Sequence, residues 1–111
     1  MIGIDIVEIK KIKRLIKNKR FIERVFSQEE IEYCEPKKNK TQHYAARFAA
    51  KEAVWKALSG KYSIALKNIV IKNIETGKPI VVLKDEKLKK LKIEISLSHT
   101  DNYAVAVALI V

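Results

Sequence analysis

RFAAKEAVWKAL, residues 47–58, is the stretch whose reading decides the fold. It has no Gly or Pro, is rich in Ala and runs on unbroken from Tyr44, so it predicts a helix. At 100° per residue, Ala46, Ala50, Ala53 and Ala57 share one face, narrow enough for another backbone to approach closely. Arg47 and Lys51 form a second face. Glu52 and Lys56 lie on a third, beside Ala45, Phe48 and Ala49. A Glu four residues before a Lys is ordinarily a surface pair worth roughly 0.2–0.5 kcal/mol. Set among Phe and Ala, however, the Glu52 carboxylate is expected to be partly desolvated and in want of a cation.

Outward from this helix, residues 41–46 lead into it with Thr41 as the expected N-cap, and Gly60 is suited to the left-handed conformation that stops it. At the N-terminus, Ile2, Ile4 and Ile6 alternate with Gly3, Asp5 and Val7, which predicts a strand with Asp5 facing away from the isoleucines. An acid in such a strand is either an exposed edge residue or part of a site. From Glu8 to about Asn18, Ile9, Ile12, Leu15 and Ile16 follow helical spacing, and Lys10, Lys11, Lys13, Arg14 and Lys17 fill the other side. Arg20 and Arg24 carry the basic stripe past Phe21. It is too one-sided for salt-bridge lacing and suits an acidic partner as well as it suits solvent. Phe21 fits either an apolar anchor in that surface or the core. Ser27 to Glu30 is a capping box, and Pro36 ends the short helix it opens.

The second half changes period. Residues 64–74 alternate loosely, residues 75–79 form a turn, and residues 80–83 return as a strand. Asp85 to Leu91 predicts a brief helix. Ile93, Ile95 and Leu97 alternate with polar residues, and residues 103–111 are apolar on both faces, which predicts a central strand. The class is α+β, a helix-rich first half packed on a mainly antiparallel sheet, expected as one domain over residues 1–111.

The 23 Lys and Arg against 13 Asp and Glu give a formal charge of +10, which favours an anionic partner: nucleic acid, membrane, phosphorylated small molecule or acidic protein. No apolar run is long enough to span a bilayer, and Asp5 stands where a signal peptide needs its apolar core, so a cytoplasmic location is expected. Cys34 is alone and excludes an internal disulfide or a cysteine metal cluster. No phosphate-binding Gly loop, His pair at metal spacing or nucleophile elbow occurs. Two acids, Asp5 and Glu52, with Lys56 one turn on, suit Mg²⁺ bound to phosphate and a phosphoryl-type transfer.

Residues 3–9 (GIDIVEI), Arg20-Phe21 with Arg24, the 47–53 block RFAAKEA with Lys56, Gly77-Lys78-Pro79, and Ser96 to Thr100 before an Ala-Val-Ala strand together resemble the 4'-phosphopantetheinyl transferases. The likeness is to their small bacterial branch, the holo-[acyl-carrier-protein] synthases, and it spans essentially the whole chain. It implies that fold and the transfer of 4'-phosphopantetheine from coenzyme A to a serine of apo acyl carrier protein, within fatty acid and lipid synthesis. It further implies Asp5 and Glu52 as Mg²⁺ ligands and Lys56 on the leaving phosphate. Arg47, Lys51, Gly60, Lys78, Pro79, His99 and Thr100 would line the coenzyme site. Lys11, Arg14, Lys17, Arg20 and Phe21 would receive the carrier, and three copies would share sites between neighbours, with neither nucleic acid nor membrane as partner. The chain departs from the family pattern at Lys11, where Arg is common, at Asn68, where Asp is frequent, and after Leu58, where a second glycine is missing. A small basic nucleic-acid-binding module is the competing reading, but it leaves Asp5 and Glu52 without a role. A scaffold that has lost activity is the third, against which Asp5, Glu52 and Lys56 are all present.

Overall fold

A computed structural model describes residues 1–73 and 77–111. In chain order the elements are β1 (Ile2–Glu8), α1 (Ile9–Leu15), α2 (Lys19–Val25), α3 (Gln28–Cys34), α4 (Lys40–Leu58), a 3-10 turn at Leu66–Asn68, β2 (Ile69–Asn73), β3 (Pro79–Leu83), β4 (Ile93–His99) and β5 (Tyr103–Ile110). β1, β5 and β4 form an antiparallel sheet with β5 in the middle, while β2 and β3 pair, among the described residues, only with each other.

The fold is organised on α4. Its Ala face receives β1 so closely that a Cβ added at Gly3 would lie 1.9 Å from the Ala53 carbonyl oxygen and 2.7 Å from the Ala57 nitrogen. Ala104, Ala106 and Ala108 on β5 are buried on the same side, so small residues on both elements let helix and sheet approach backbone to backbone. Gly60 ends α4 with φ +87°, as expected of a left-handed cap.

Within β1 the alternation is as predicted, and its direction is informative. Gly3, Asp5 and Val7 face α4, whereas Ile2, Ile4 and Ile6 remain 62–68% exposed. The register sets these isoleucines beside Leu109, Val107 and Val105 of β5, so one face of the sheet is an open apolar strip.

Four expectations are corrected. The first basic segment is two helices, because the chain breaks at Ile16–Asn18 and Asn18 caps α2 through its side chain on the Arg20 nitrogen. α4 starts at Lys40, ahead of Thr41, and Asn39 bonds Gln42 instead of capping the backbone. Residues 85–91 form turns, because Asp85 accepts the Lys87 N–H at 2.8 Å and only i→i+3 bonds follow, at Leu88 and Leu91. The strand predicted over 64–74 is ordered as a strand only from Ile69 to Asn73; Ile74, Glu75 and Thr76, with most of the predicted turn, lie outside the described residues. Among the described residues no helix is long and apolar enough to cross a membrane.

Candidate active site

Two groups of polar residues flank α4. On one flank Asp5 leaves the inner face of β1 immediately after the Gly3 contact and meets Lys56. The Lys56 ammonium donates to Asp5 Oδ1 at 3.1 Å and to the Ile4 carbonyl at 3.0 Å. Glu52, one turn earlier on α4, is half-buried. Burial pushes its carboxyl above the usual carboxylate range and the Asp5 charge pushes it further, with Lys56 and Lys11 pulling the other way. Asp5, Glu52, Lys56 and Lys11 are therefore one electrostatic unit, assembled from β1, α1 and α4.

The donor set fits a hard divalent cation. Two carboxylates, one of them raised by burial and then by the charge of the other, are relieved when a metal charge enters beside them. Asp5 and Glu52 are the carboxylates that could hold such an ion, which would keep positions open to other ligands. Mg²⁺ with water and phosphate oxygens suits that count.

On the other flank lies a cavity of about 570 Å³. Arg47 and His43 of α4, Asn73 of β2, Lys78 and Pro79 entering β3, and His99 at the end of β4 are among its lining residues. Four residues expected at the coenzyme, Arg47, Lys78, Pro79 and His99, are thus brought together. Arg47 is 5% exposed, its guanidinium carbon is 4.1 Å from the Tyr33 ring centre and its Nη2 donates to Asn73 Oδ1. Its buried Nε–H has no acceptor among the described residues. Burial, then the charge of Arg47, hold His43 below the ordinary imidazole range, with smaller contributions from Lys37 and His99. A neutral imidazole beside a held guanidinium suits an anionic ligand with a planar portion.

Three expected residues stand elsewhere. Lys51 lines no part of the cavity: it is fully buried, with its ammonium 2.6 Å from Glu30 Oε1 and 2.5 Å from the Ile69 carbonyl. The same carboxylate closes the capping box on Ser27. Gly60 is exposed at the end of α4, away from the cavity lining, where its role is the cap. Thr100 turns its hydroxyl oxygen to the Asn102 and Tyr103 nitrogens, closing the β4–β5 turn. Tyr33, His43 and Asn73 were missed as lining residues. Tyr33 and His43 have no sequence signal beyond ring type, and Asn73 lies at a strand end.

Lys11, Arg14, Lys17 and Arg20 are all exposed on α1, α2 and the segment between them. Phe21 turns most of its ring inward, packing on Phe26 and Phe48 with centres 6.1 and 5.8 Å away, which favours the core over the anchor role.

A family model described as the 4'-phosphopantetheinyl transferase superfamily matches residues 1–108. The holo-[acyl-carrier-protein] synthase of Clostridium botulinum is 47% identical over 98% of this chain and 94% of its own length, and that of Clostridium acetobutylicum is 43% identical with the same coverage. Among solved structures, the Helicobacter pylori holo-[acyl-carrier-protein] synthase in complex with coenzyme A has a TM-score of 0.87 and 34% identity over 100% of both chains. The Bacillus anthracis synthase, in complex with CoA (3',5'-ADP), has a TM-score of 0.85 and 32% identity over 98% of this chain and 93% of that one.

Proposed function

This chain belongs to the 4'-phosphopantetheinyl transferase superfamily, and from that membership we propose that it is a holo-[acyl-carrier-protein] synthase acting as one domain. It moves 4'-phosphopantetheine from coenzyme A to a serine of apo acyl carrier protein and releases adenosine 3',5'-bisphosphate. The observation that carries the reading is the convergence of Asp5, Glu52 and Lys56 from β1 and α4 on one charged unit.

Asp5 and Glu52 are the residues that would hold Mg²⁺, which when bound supplies charge neutralisation on the diphosphate. The work left to the protein is positioning and electrostatics, since phosphoryl-type displacement needs no protein nucleophile. The carrier's serine oxygen forms the new bond to the phosphorus attached to pantetheine, and the bond from that phosphorus to the adenosine bisphosphate oxygen breaks. The serine proton leaves toward the carboxylates beside it, and Lys56, released from Asp5, turns its ammonium to the leaving phosphate. The cavity holds the coenzyme: Arg47, Lys78 and His99 supply its polar contacts and Pro79 part of its wall. The exposed cations of α1 and α2 steer the acidic carrier.

The positions of the two groups support an assembly of copies. Arg47 lies roughly 140–180° around α4 from Glu52 and Lys56, so cavity and acid pair open on opposite flanks of the helix. One coenzyme reaches both if the cavity of one copy faces the acids of the next. The open isoleucine strip on β1 is the contact we assign to that assembly, a homotrimer. A fatty-acid carrier in the cytoplasm is the substrate this assignment implies.

The test is direct. The protein mixed with apo acyl carrier protein, coenzyme A and Mg²⁺ should increase the carrier's mass by one phosphopantetheine, and chelation of the metal should stop it. A carrier of unchanged mass refutes the proposal.

A further inference from the structure

Lys51 and Glu30 are both 0% exposed, and together they do more than cancel charge. Glu30 Oε1 accepts from Lys51 and from the Ser27 nitrogen at 2.8 Å, while Oε2 accepts from the Ile71 nitrogen at 2.9 Å. Lys51 adds its bond to the Ile69 carbonyl. One turn earlier on α4, Arg47 bonds the Asn73 side chain. Alternate residues 69, 71 and 73 of β2 are therefore tied in succession to charged groups of α3 and α4.

The ties matter because of the topology. Among the described residues β2 has β3 as its only strand partner, so no backbone ladder among them joins this hairpin to the β1–β5–β4 sheet. Yet Ile71 and Asn73 line the cavity, as do Gly77, Lys78 and Pro79 beyond them, facing Leu97 and His99 of β4. β3 also packs against β4, so the seating of the hairpin on α4 is one of the contacts that set the distance between those two walls. The ion pair by itself is weak evidence for a stabilising role, whereas its bonds to the Ile69 carbonyl and the Ile71 N–H hold the backbone of β2 in place. Burial pulls the Lys51 ammonium down from its ordinary range and the Glu30 charge offsets it, so each charge needs the other.

We infer that the Glu30–Lys51 pair is a positioning device that fixes β2 against α4 and thereby helps set the width of the cavity that takes coenzyme A. The inference rests on the reading of that cavity as the coenzyme site. Neither residue touches the coenzyme: each acts through Ile69, Ile71 and the hairpin they begin.

Two variants of the full chain test it, Glu30→Gln and the apolar pair Glu30→Met with Lys51→Met. In Glu30→Gln, the Kd for coenzyme A by calorimetry and its KM should each rise about tenfold, as small misplacements of binding groups do. At saturating coenzyme, kcat and the KM for the carrier should stay within about twofold. The double variant removes both charges together but leaves the Ile71 N–H and the Ile69 carbonyl without these partners, so it should melt below wild type and show the same loss of coenzyme affinity. In both, amide exchange across β2 and β3 should quicken about tenfold, while that of β5 does not change. Wild-type coenzyme affinity in either folded variant overturns the inference. A uniform fall in active fraction with both KM values unchanged overturns it too, as does failure of both variants to fold, since the pair is then a stability element alone. If the wild-type protein takes up no coenzyme A, the functional reading falls, and the exchange measurement decides the positioning role separately: unchanged β2 exchange refutes it.

Discussion

Gly3→Ala tests the contact on which both the fold and the acid pair depend. The added methyl would sit 1.9 Å from the Ala53 carbonyl oxygen and 2.7 Å from the Ala57 nitrogen, both backbone atoms within α4. No flexible side chain can yield. Restoring a contact of ordinary length requires β1 and α4 to separate by about 1.5 Å. Overpacking a core by one methyl typically costs about 1–3 kcal/mol, and with backbone on both sides the upper end applies, so we expect about 3 kcal/mol. For a chain of this length that is a fall in Tm of about 12 °C. The same displacement moves Asp5 away from Glu52, and a shift near 1 Å in reacting geometry costs about a hundredfold in rate. Thermal unfolding by circular dichroism reads the first effect. Carrier modification well below the lowered Tm reads the second. A variant melting within about 3 °C of wild type would show that β1 yields without cost, and the reasoning from close approach would fail.

Glu52→Gln should abolish turnover and reveal a pH signature. Because the Glu52 carboxyl is held above its ordinary range, the folded protein binds that proton more tightly than the unfolded chain does, so the favourable contribution exists at low pH and is lost as pH rises through the raised value. The variant should therefore melt above wild type near about pH 7.5, with the gap closing below about pH 4 and Mg²⁺ narrowing it at neutral pH; a variant less stable than wild type near neutrality contradicts the strain. Arg14→Glu should raise the KM for the carrier at least about tenfold at low salt and leave that for coenzyme A within about twofold, while equal effects on both would remove the basic helices from carrier docking. Ile4→Lys on the open strip should reduce the mass measured by light scattering to that of a single chain, and an unchanged trimer, or a monomeric wild type, refutes the proposed contact.

How far the sequence discloses this molecule depends on the range of the forces involved. The Ala spacing of α4 and the alternation in β1 are local patterns, and both survive into the structure down to the Gly3 contact. Asp5 and Glu52 were visible as acids in the wrong company, because an unpaired carboxylate among apolar neighbours is costly wherever it ends up. Glu30 was hidden by its own sufficiency. As the third helical residue after Ser27 it already had a capping role, and nothing local shows that its carboxylate also takes a lysine 21 positions on and an amide 41 positions on. Lys51 was misplaced for the complementary reason, since helical periodicity groups it with Arg47 without saying which side that face meets. The isoleucines of β1 mark the third limit. Alternation shows that two faces of a strand differ, but not which one a protomer covers. Here the face that a protomer would ordinarily bury is the exposed one, while the acid lies inward. That inversion and the placement of cavity and acids on opposite flanks of α4 have a common solution in the proposed assembly. A strand that covers its apolar edge with a neighbouring copy also carries its acid toward that neighbour's cavity.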